Sequence, residues 1–434
     1  DFPFMLVARI GRLEQDRRRA GLEDDADHAL QRNVVIVRAF VIAPADVHPH
    51  PFGRDVGGGG VERLDIGRSH LEEIVLGQIL IAGVPRHREI GAIELQIEAR
   101  GHDRLVFLAH RIGEIKQGNI YRPEREAQVL RMVKERNQGP LDAEVIARLF
   151  REVMSACLAL EQPMKVAFLG PEGTFTHQAV LKHFGHGVTA VPMNAIDEVF
   201  REVDAGAANY GIVPVENSTE GVVTHTLDTF MESGLKICGE VELRIHHHLM
   251  IGPATRRDSI SRIYSHQQTL AQCRKWLDSH MPNAERIAVA SNAQAAKRLK
   301  DEWNAAAIAG EMAAELYGME VIHRNVEDRP DNTTRFIIIG KQDTPTSGND
   351  KTSIMASGKN RPGLLYSVLE PFKRHGVNLT RLESRPSRAE KWNYVFFIDF
   401  EGHRDDPGVQ KLLAELEADS LNIRFLGSYP KAVL

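Results

Sequence analysis

The sequence predicts a multidomain chain: a short all-helical segment, a two-lobed α/β domain, and a small ferredoxin-like α+β domain. Three observations predict it. Residues 109–162 are charged and amphipathic at helical spacing, residues 165–340 alternate short apolar runs with helical ones, and the last 84 residues read strand–helix–strand–strand–helix–strand. At 434 residues there is room for two to four domains, each with its own core.

Composition narrows the class. The net charge is −5 with both signs interspersed, which gives no nucleic-acid footprint. Cys157, Cys238 and Cys273 are too few and too scattered for a disulfide framework or a cysteine zinc site. The apolar stretch at residues 34–43 is short and interrupted by Arg38, so no membrane span is expected, and no signal-peptide pattern is present. The expectation is a cytoplasmic protein.

Residues 1–108 differ in composition from the rest. Before Lys116 there are fifteen Arg but no Lys, Thr, Tyr, Trp or Cys. The segment reads either as an additional domain or as a mis-framed stretch, such as an upstream reading frame joined by a frameshift or a misplaced start. The second is favoured because apolar bursts there lack consistent caps and turns. Abundant native peptides from residues 1–100 would refute it. Helices are then expected over 109–117, 125–136 and 141–162. Pro123 lies near the start of the second; Asp142 starts the third, which carries Val145, Leu149, Val153 and Cys157 on one stripe.

Lys165–Leu169 (KVAFL) reads as a buried strand and GPEGTF as the turn into a helix. A strand at residues 210–215 runs into Glu216, Asn217, Ser218 and Thr219, with a helix over 222–233. Polar side chains and free N–H donors at a helix start can hold an anion, or simply cap the helix. Further α/β alternation ends in the strand that follows NTTRF, residues 332–336. Residues 342–350 are polar with Pro and Gly and read as a linker; 351–434 form the last domain.

GPEGTF lacks the lysine of a phosphate-binding loop and the spacing of a dinucleotide fingerprint. His246–His248 would alternate faces on a strand, so no metal site is expected there. Arg335 beside Thr333 and Thr334 suits a carboxylate substrate or a structural loop equally.

GPEGTFTHQA, VPVENSTEGVV and NTTRF, with LRIHHHLM, YSHQQTLAQC and AAIAGEMAAELYGM between them, resemble the prephenate dehydratase domain over residues 165–341. The resemblance implies a two-lobed fold like a periplasmic binding protein, with prephenate in the cleft. Prephenate there loses water and CO2 to give phenylpyruvate, without a cofactor. It assigns the donor hydroxyl to Thr334. Arg335 and Glu216 are expected to join the catalytic group, with Asn217, Ser218, Thr219, Thr174 and Phe336 lining the substrate.

Asn360-Arg361-Pro362-Gly363-Leu364-Leu365 and Glu383-Ser384-Arg385-Pro386 resemble the effector motifs of the ACT domain. This implies L-phenylalanine binding by Asn360, Pro362, Gly363, Leu364, Leu365, Glu383, Ser384, Arg385 and Pro386, feedback inhibition, and a homodimer or higher homo-oligomer. The family commonly has Gly-Ala where this chain has Gly363-Leu364.

Residues 109–163 are similar to the second half of the all-helical chorismate mutase domain. The family's chorismate site would use Lys116, Arg125, Glu126 and Glu161. Many members have Gln where this chain has Glu161; as a donor to the ether oxygen it would have to be protonated, so mutase activity would favour lower pH. The family's first helix with two further arginines has no counterpart at residues 60–108, so the mutase looks incomplete. The expectation is therefore a phenylalanine-regulated prephenate dehydratase fused to a damaged mutase. The alternatives are a monofunctional dehydratase with an inactive helical remnant, or a binding-only two-lobed protein.

Overall fold

The computed structural model describes residues 35–37, 95–97, 121–358, 360–387, 394–418 and 421–434. They belong to two units, Asp1–Ile115 and Lys116–Leu434. In the first, β1 (Val35–Val37) pairs antiparallel with β2 (Leu95–Ile97). The other expectations for residues 1–108, and the helix expected over 109–117, lie outside the described residues.

The second unit's described part opens with helices α1 (Pro123–Arg136) and α2 (Ala143–Glu161). Pro123 sits in the first turn, where a missing N–H breaks no intrahelical bond, and Asp142 caps α2 by accepting from the Glu144 N–H at 2.8 Å. The expected stripe on α2 is corrected. Leu149 and Val153 are each 38% exposed, whereas Ala147, Arg151, Met154 and Ser155 are buried. The small and polar face wins because it lies against the α/β domain. Ser155 Oγ accepts from the Gly187 N–H at 2.9 Å, and a Cβ on Gly187 would meet the Ser155 carbonyl oxygen at 2.4 Å.

The α/β domain has two lobes. The first contains β3 (Lys165–Leu169), α3 (Phe175–Phe184), β4 (Thr189–Met193), α4 (Ile196–Asp204), β5 (Tyr210–Asn217), β6 (Gly221–Val222), α5 (Thr224–Glu232) and β7 (Lys236–Arg244). The second contains β8 (His248–Ile251), β9 (Arg262–His266), α6 (Gln267–Gln272), α7 (Arg274–His280), β10 (Glu285–Val289), α8 (Asn292–Arg298), β11 (Ala305–Ala309), α9 (Glu311–Tyr317) and β12 (Glu320–His323). Then β13 (Thr333–Gly340) returns to the first sheet, in the order β4-β3-β5-β13-β7, antiparallel to both neighbours. The second sheet runs β10-β9-β11-β8-β12. Its central β11 (AAAIA) is wholly buried, since small side chains let helices approach both faces.

The chain thus crosses between lobes twice, at residues 245–247 and 324–332. Glu327 joins these crossings: its carboxylate meets His246 Nδ1 at 2.8 Å and accepts from the His247 N–H at 2.9 Å. Burial works against this carboxylate's charge, but those contacts outweigh it and hold Glu327 below its ordinary pKa.

The last domain contains β14 (Asp350–Gly358), α10 (Leu364–Arg374), β15 (Leu379–Pro386), β16 (Tyr394–Glu401), α11 (Pro407–Ala418) and β17 (Asn422–Pro430). Its four-stranded antiparallel sheet runs β15-β16-β14-β17, with its own core on one face. The other face continues the core of the first lobe, where Val395, Phe397, Leu426 and Tyr429 join Val215, Phe230, Ile237 and Ile337. Within the segment expected as a linker, residues 342–350, Thr344, Ser347 and Asp350 are buried, and the Ser347 hydroxyl donates to Asp350 Oδ1 at 2.5 Å.

Among the described residues no helix is long and apolar enough to cross a membrane, and no cluster of His, Cys, Asp and Glu could hold a metal ion.

Candidate active site

Strand β5 ends and strand β13 begins where the two lobes meet, and their register places Thr334 opposite Asn217. Thr334 is 9% exposed, and Asn217 Nδ2 donates to its Oγ1 at 2.8 Å. With its oxygen accepting from Asn217, the hydroxyl keeps its own proton to donate. Asn217 is fixed in turn, its Oδ1 accepting from the N–H groups of Thr219 (2.9 Å) and Glu220 (3.0 Å).

These two bonds correct the expected helix start. Strand β5 continues through Glu216 and Asn217, and the chain then turns back into β6; α5 begins only at Thr224. The side chain of Asn217 supplies the turn that a helix cap was expected to supply. Ser218 ties this turn to β13: its N–H donates to the Thr333 carbonyl at 2.8 Å, and its Oγ accepts from the Thr333 N–H at 2.9 Å.

A second polar layer joins the lobes. The Thr219 hydroxyl donates to Asn332 Oδ1 (3.3 Å), and Asn332 Nδ2 donates to Gln272 Oε1 (3.3 Å). That oxygen also lies 3.0 Å from His247 Nε2, and Gln272 Nε2 donates to Glu220 at 3.0 Å. Burial pushes the His247 imidazole below its usual pKa, more than Gln272 and Glu327 raise it. A neutral ring donating from Nε2 satisfies Gln272. Phe175 stands edge-on to this imidazole and packs so close to Gly310 that a Cβ there would meet the Phe175 ring at 2.8 Å. Gln272, His247 and Asn332 were not singled out as site residues from sequence, although YSHQQTLAQC, LRIHHHLM and NTTRF contain them.

Three expected site residues, Arg335, Glu216 and Phe336, are placed elsewhere. Arg335 points to the opposite face of β13 from Thr334, as neighbours on a strand must. Its Nε donates to Glu240 (2.8 Å), Nη1 to Asp399 (2.6 Å) and Nη2 to the Tyr429 hydroxyl (2.9 Å). Glu216 faces the same way and lies 3.3 Å from Arg381. Phe336 is buried in the first-lobe core and cannot touch a cleft ligand. The Thr174 hydroxyl is engaged within its own loop, donating to the Leu169 carbonyl (3.3 Å) and accepting from the His177 N–H (3.4 Å).

Of the residues expected around chorismate, Lys116 lies outside the described residues. Glu126 pairs with Arg151, 2.6 Å away, with both side chains 8% exposed. Burial raises its pKa, with Arg151 opposing. Arg125 reaches Gln128 at 3.4 Å, and Glu161 is buried.

In the last domain the register Gly358–Tyr394–Pro386 brings both expected effector motifs to one end of the sheet. There Gly363 adopts φ +84, a left-handed conformation that favours glycine, immediately before α10. Leu364 is buried, whereas Leu365 and Tyr366 are exposed. Arg385 departs from the expectation: its Nε and Nη2 donate to Asp228 in the first lobe, at 3.0 and 2.8 Å.

Three family matches divide the chain in the same way: chorismate mutase type II at residues 105–162, prephenate dehydratase at 166–344 and the ACT domain at 352–418. A bifunctional chorismate mutase/prephenate dehydratase of Pseudomonas aeruginosa is 62% identical over 323 residues, covering 74% of this chain and 88% of the relative. A prephenate dehydratase of Bacillus subtilis is 36% identical over 280 residues, covering 61% of this chain and 98% of the relative. Among solved structures, prephenate dehydratase in complex with L-Phe from Arthrobacter aurescens aligns with a TM-score of 0.57 at 36% identity, covering 62% of this chain and 90% of that one.

Proposed function

We infer how this chain works from the family it belongs to, the bifunctional chorismate mutase/prephenate dehydratases. It is a prephenate dehydratase, converting prephenate to phenylpyruvate, water and CO2. The assignment of work to residues rests on one observation, the hydrogen bond from Asn217 to Thr334 in the cleft. Prephenate lies between the lobes of a periplasmic-binding-protein-like domain, residues 165–341. Thr334 donates to the departing ring hydroxyl, and loss of the carboxylate with aromatisation drives the step. A threonine hydroxyl is a poor acid near neutral pH, so it acts as a positioned donor rather than as a free proton source. Ser218 and Thr219 line the cleft, and Gln272, Asn332 and His247 hold its two walls in register. Arg335 is withdrawn as a substrate ligand. An absorbance assay for phenylpyruvate from prephenate tests the activity; no product above the uncatalysed rate would refute it.

Residues 351–434 form the regulatory domain, with L-phenylalanine at the end defined by Asn360, Pro362, Gly363 and Tyr394. The exposed Leu365 and Tyr366 support a contact there with a second copy. Phenylalanine should therefore inhibit and also promote association. Sedimentation and turnover with and without phenylalanine check this, and unchanged mass and kinetics would refute it.

The mutase half is read as incomplete, with the buried pair Glu126–Arg151 favouring a structural role for these helices. Chorismate loss should stay at the uncatalysed rate under conditions where prephenate is turned over. Catalysed chorismate loss would show an intact mutase site instead.

A further inference from the structure

The alternation of β5 and β13 divides two adjacent residue pairs between two functions. Asn217 and Thr334, opposite each other, hydrogen-bond on the cleft side. The next pair, Glu216 and Arg335, also opposite each other, faces the regulatory domain. There the buried Asp399 meets β13 directly through Arg335 and approaches β5 by way of Arg381. Asp399 Oδ2 accepts from Arg335 at 2.6 Å and lies 3.8 Å from Arg381, which lies 3.3 Å from Glu216. Asp399 is itself fixed within its domain by the Ser353 hydroxyl at 2.6 Å, and Tyr429 on β17 and Glu240 on β7 complete the grip on Arg335.

We propose that Asp399, with Arg335 and Arg381, is the mechanical link through which the regulatory domain sets the position of the Thr334–Asn217 pair. It rests on the reading of residues 351–434 as a phenylalanine-responsive domain. Three features carry it. Asp399, Arg335 and Arg381 are almost wholly buried, so their geometry is strict, while Glu216 is 40% exposed at the edge of the group. Each regulatory contact is one residue from a cleft residue along the same strand, so displacing Arg335 or Glu216 displaces Thr334 or Asn217. Finally, Arg381 is 8% exposed, yet its Nε and Nη2 have no hydrogen-bond acceptor among the described residues. A small slide of the regulatory sheet would let it bond to Asp399 or Glu216. This supplies the second arrangement that a switch requires.

The test combines phenylalanine binding, inhibition and hydrogen exchange on the full chain. In the wild type, saturating phenylalanine should change amide exchange in peptides covering residues 213–218 and 333–337. In Asp399→Asn, phenylalanine measured by calorimetry should bind within about threefold of wild type. Inhibition, scored against the variant's own effector-free rate, should weaken by about tenfold or more. A purely structural role would not separate binding from inhibition in this way; Asp399→Glu should restore part of the coupling. Wild-type inhibition in Asp399→Asn, or unchanged exchange in both strands, would overturn the link alone. If the variant does not fold, the wild-type exchange result decides. Failure of the wild type to bind phenylalanine would overturn the regulatory reading and the link together.

Discussion

Thr334→Ala is expected to lower kcat for prephenate by about 10²–10³-fold with KM within about threefold, the signature of a donor that acts on the transition state more than on bound substrate. The magnitude follows from geometry. Asn217 already occupies an acceptor position of the Thr334 oxygen, so the hydroxyl proton stays available for a substrate oxygen. A water in its place would have to be oriented at each turnover. Thr334→Ser should retain most activity, since the donor survives. Asn217→Ala, which frees the hydroxyl to rotate and releases the turn at Thr219 and Glu220, should cost about tenfold or more in kcat. Steady-state kinetics under matched conditions separates these outcomes. Near-wild-type turnover by Thr334→Ala would remove the hydroxyl from the mechanism.

The sequence made the site legible to the level of segments but not of faces. VPVENSTEGVV and NTTRF do meet, because the end of β5 pairs with the start of β13. What failed was the treatment of Thr334-Arg335-Phe336 as one functional run. Strand alternation alone forbids Thr334 and Arg335 from sharing a face, and an apolar residue following them belongs to the core. The partners that hold Arg335 could not be foreseen. Asp399 and Tyr429 lie in another domain, and neither FFIDF nor GSYP has a local signal of such a role. The same limit applies to α2, whose apolar stripe predicted the wrong buried face. Helical period defines the faces of a helix; only the neighbour decides which is covered. Gln272 was likewise hidden among Gln267, Gln268 and Gln272, and only folding separates the one that reaches across to Asn332.

The reassignment of Arg335 yields the second large effect. Arg335→Met should destabilise the protein by about 3–5 kcal/mol, because it leaves the buried carboxylates of Glu240 and Asp399 without their shared guanidinium. Thermal or denaturant unfolding checks this. A substrate-binding arginine would behave differently, raising KM for prephenate at little cost in stability. The pH dependence follows from the same contacts. Burial alone would raise the Asp399 pKa, but Arg335, Arg381 and the Ser353 hydroxyl outweigh it and hold it below the usual value. A carboxylate depressed in the folded state contributes stability above its unfolded pKa of about 3.9, and loses it as pH falls through the lower folded value. Wild-type stability should therefore fall as the solution is acidified below about pH 4, and Arg335→Met should lose part of that dependence because Asp399 is no longer held as low. An unchanged melting temperature together with a raised KM would return Arg335 to the cleft and leave the regulatory sheet without its principal hold on β13.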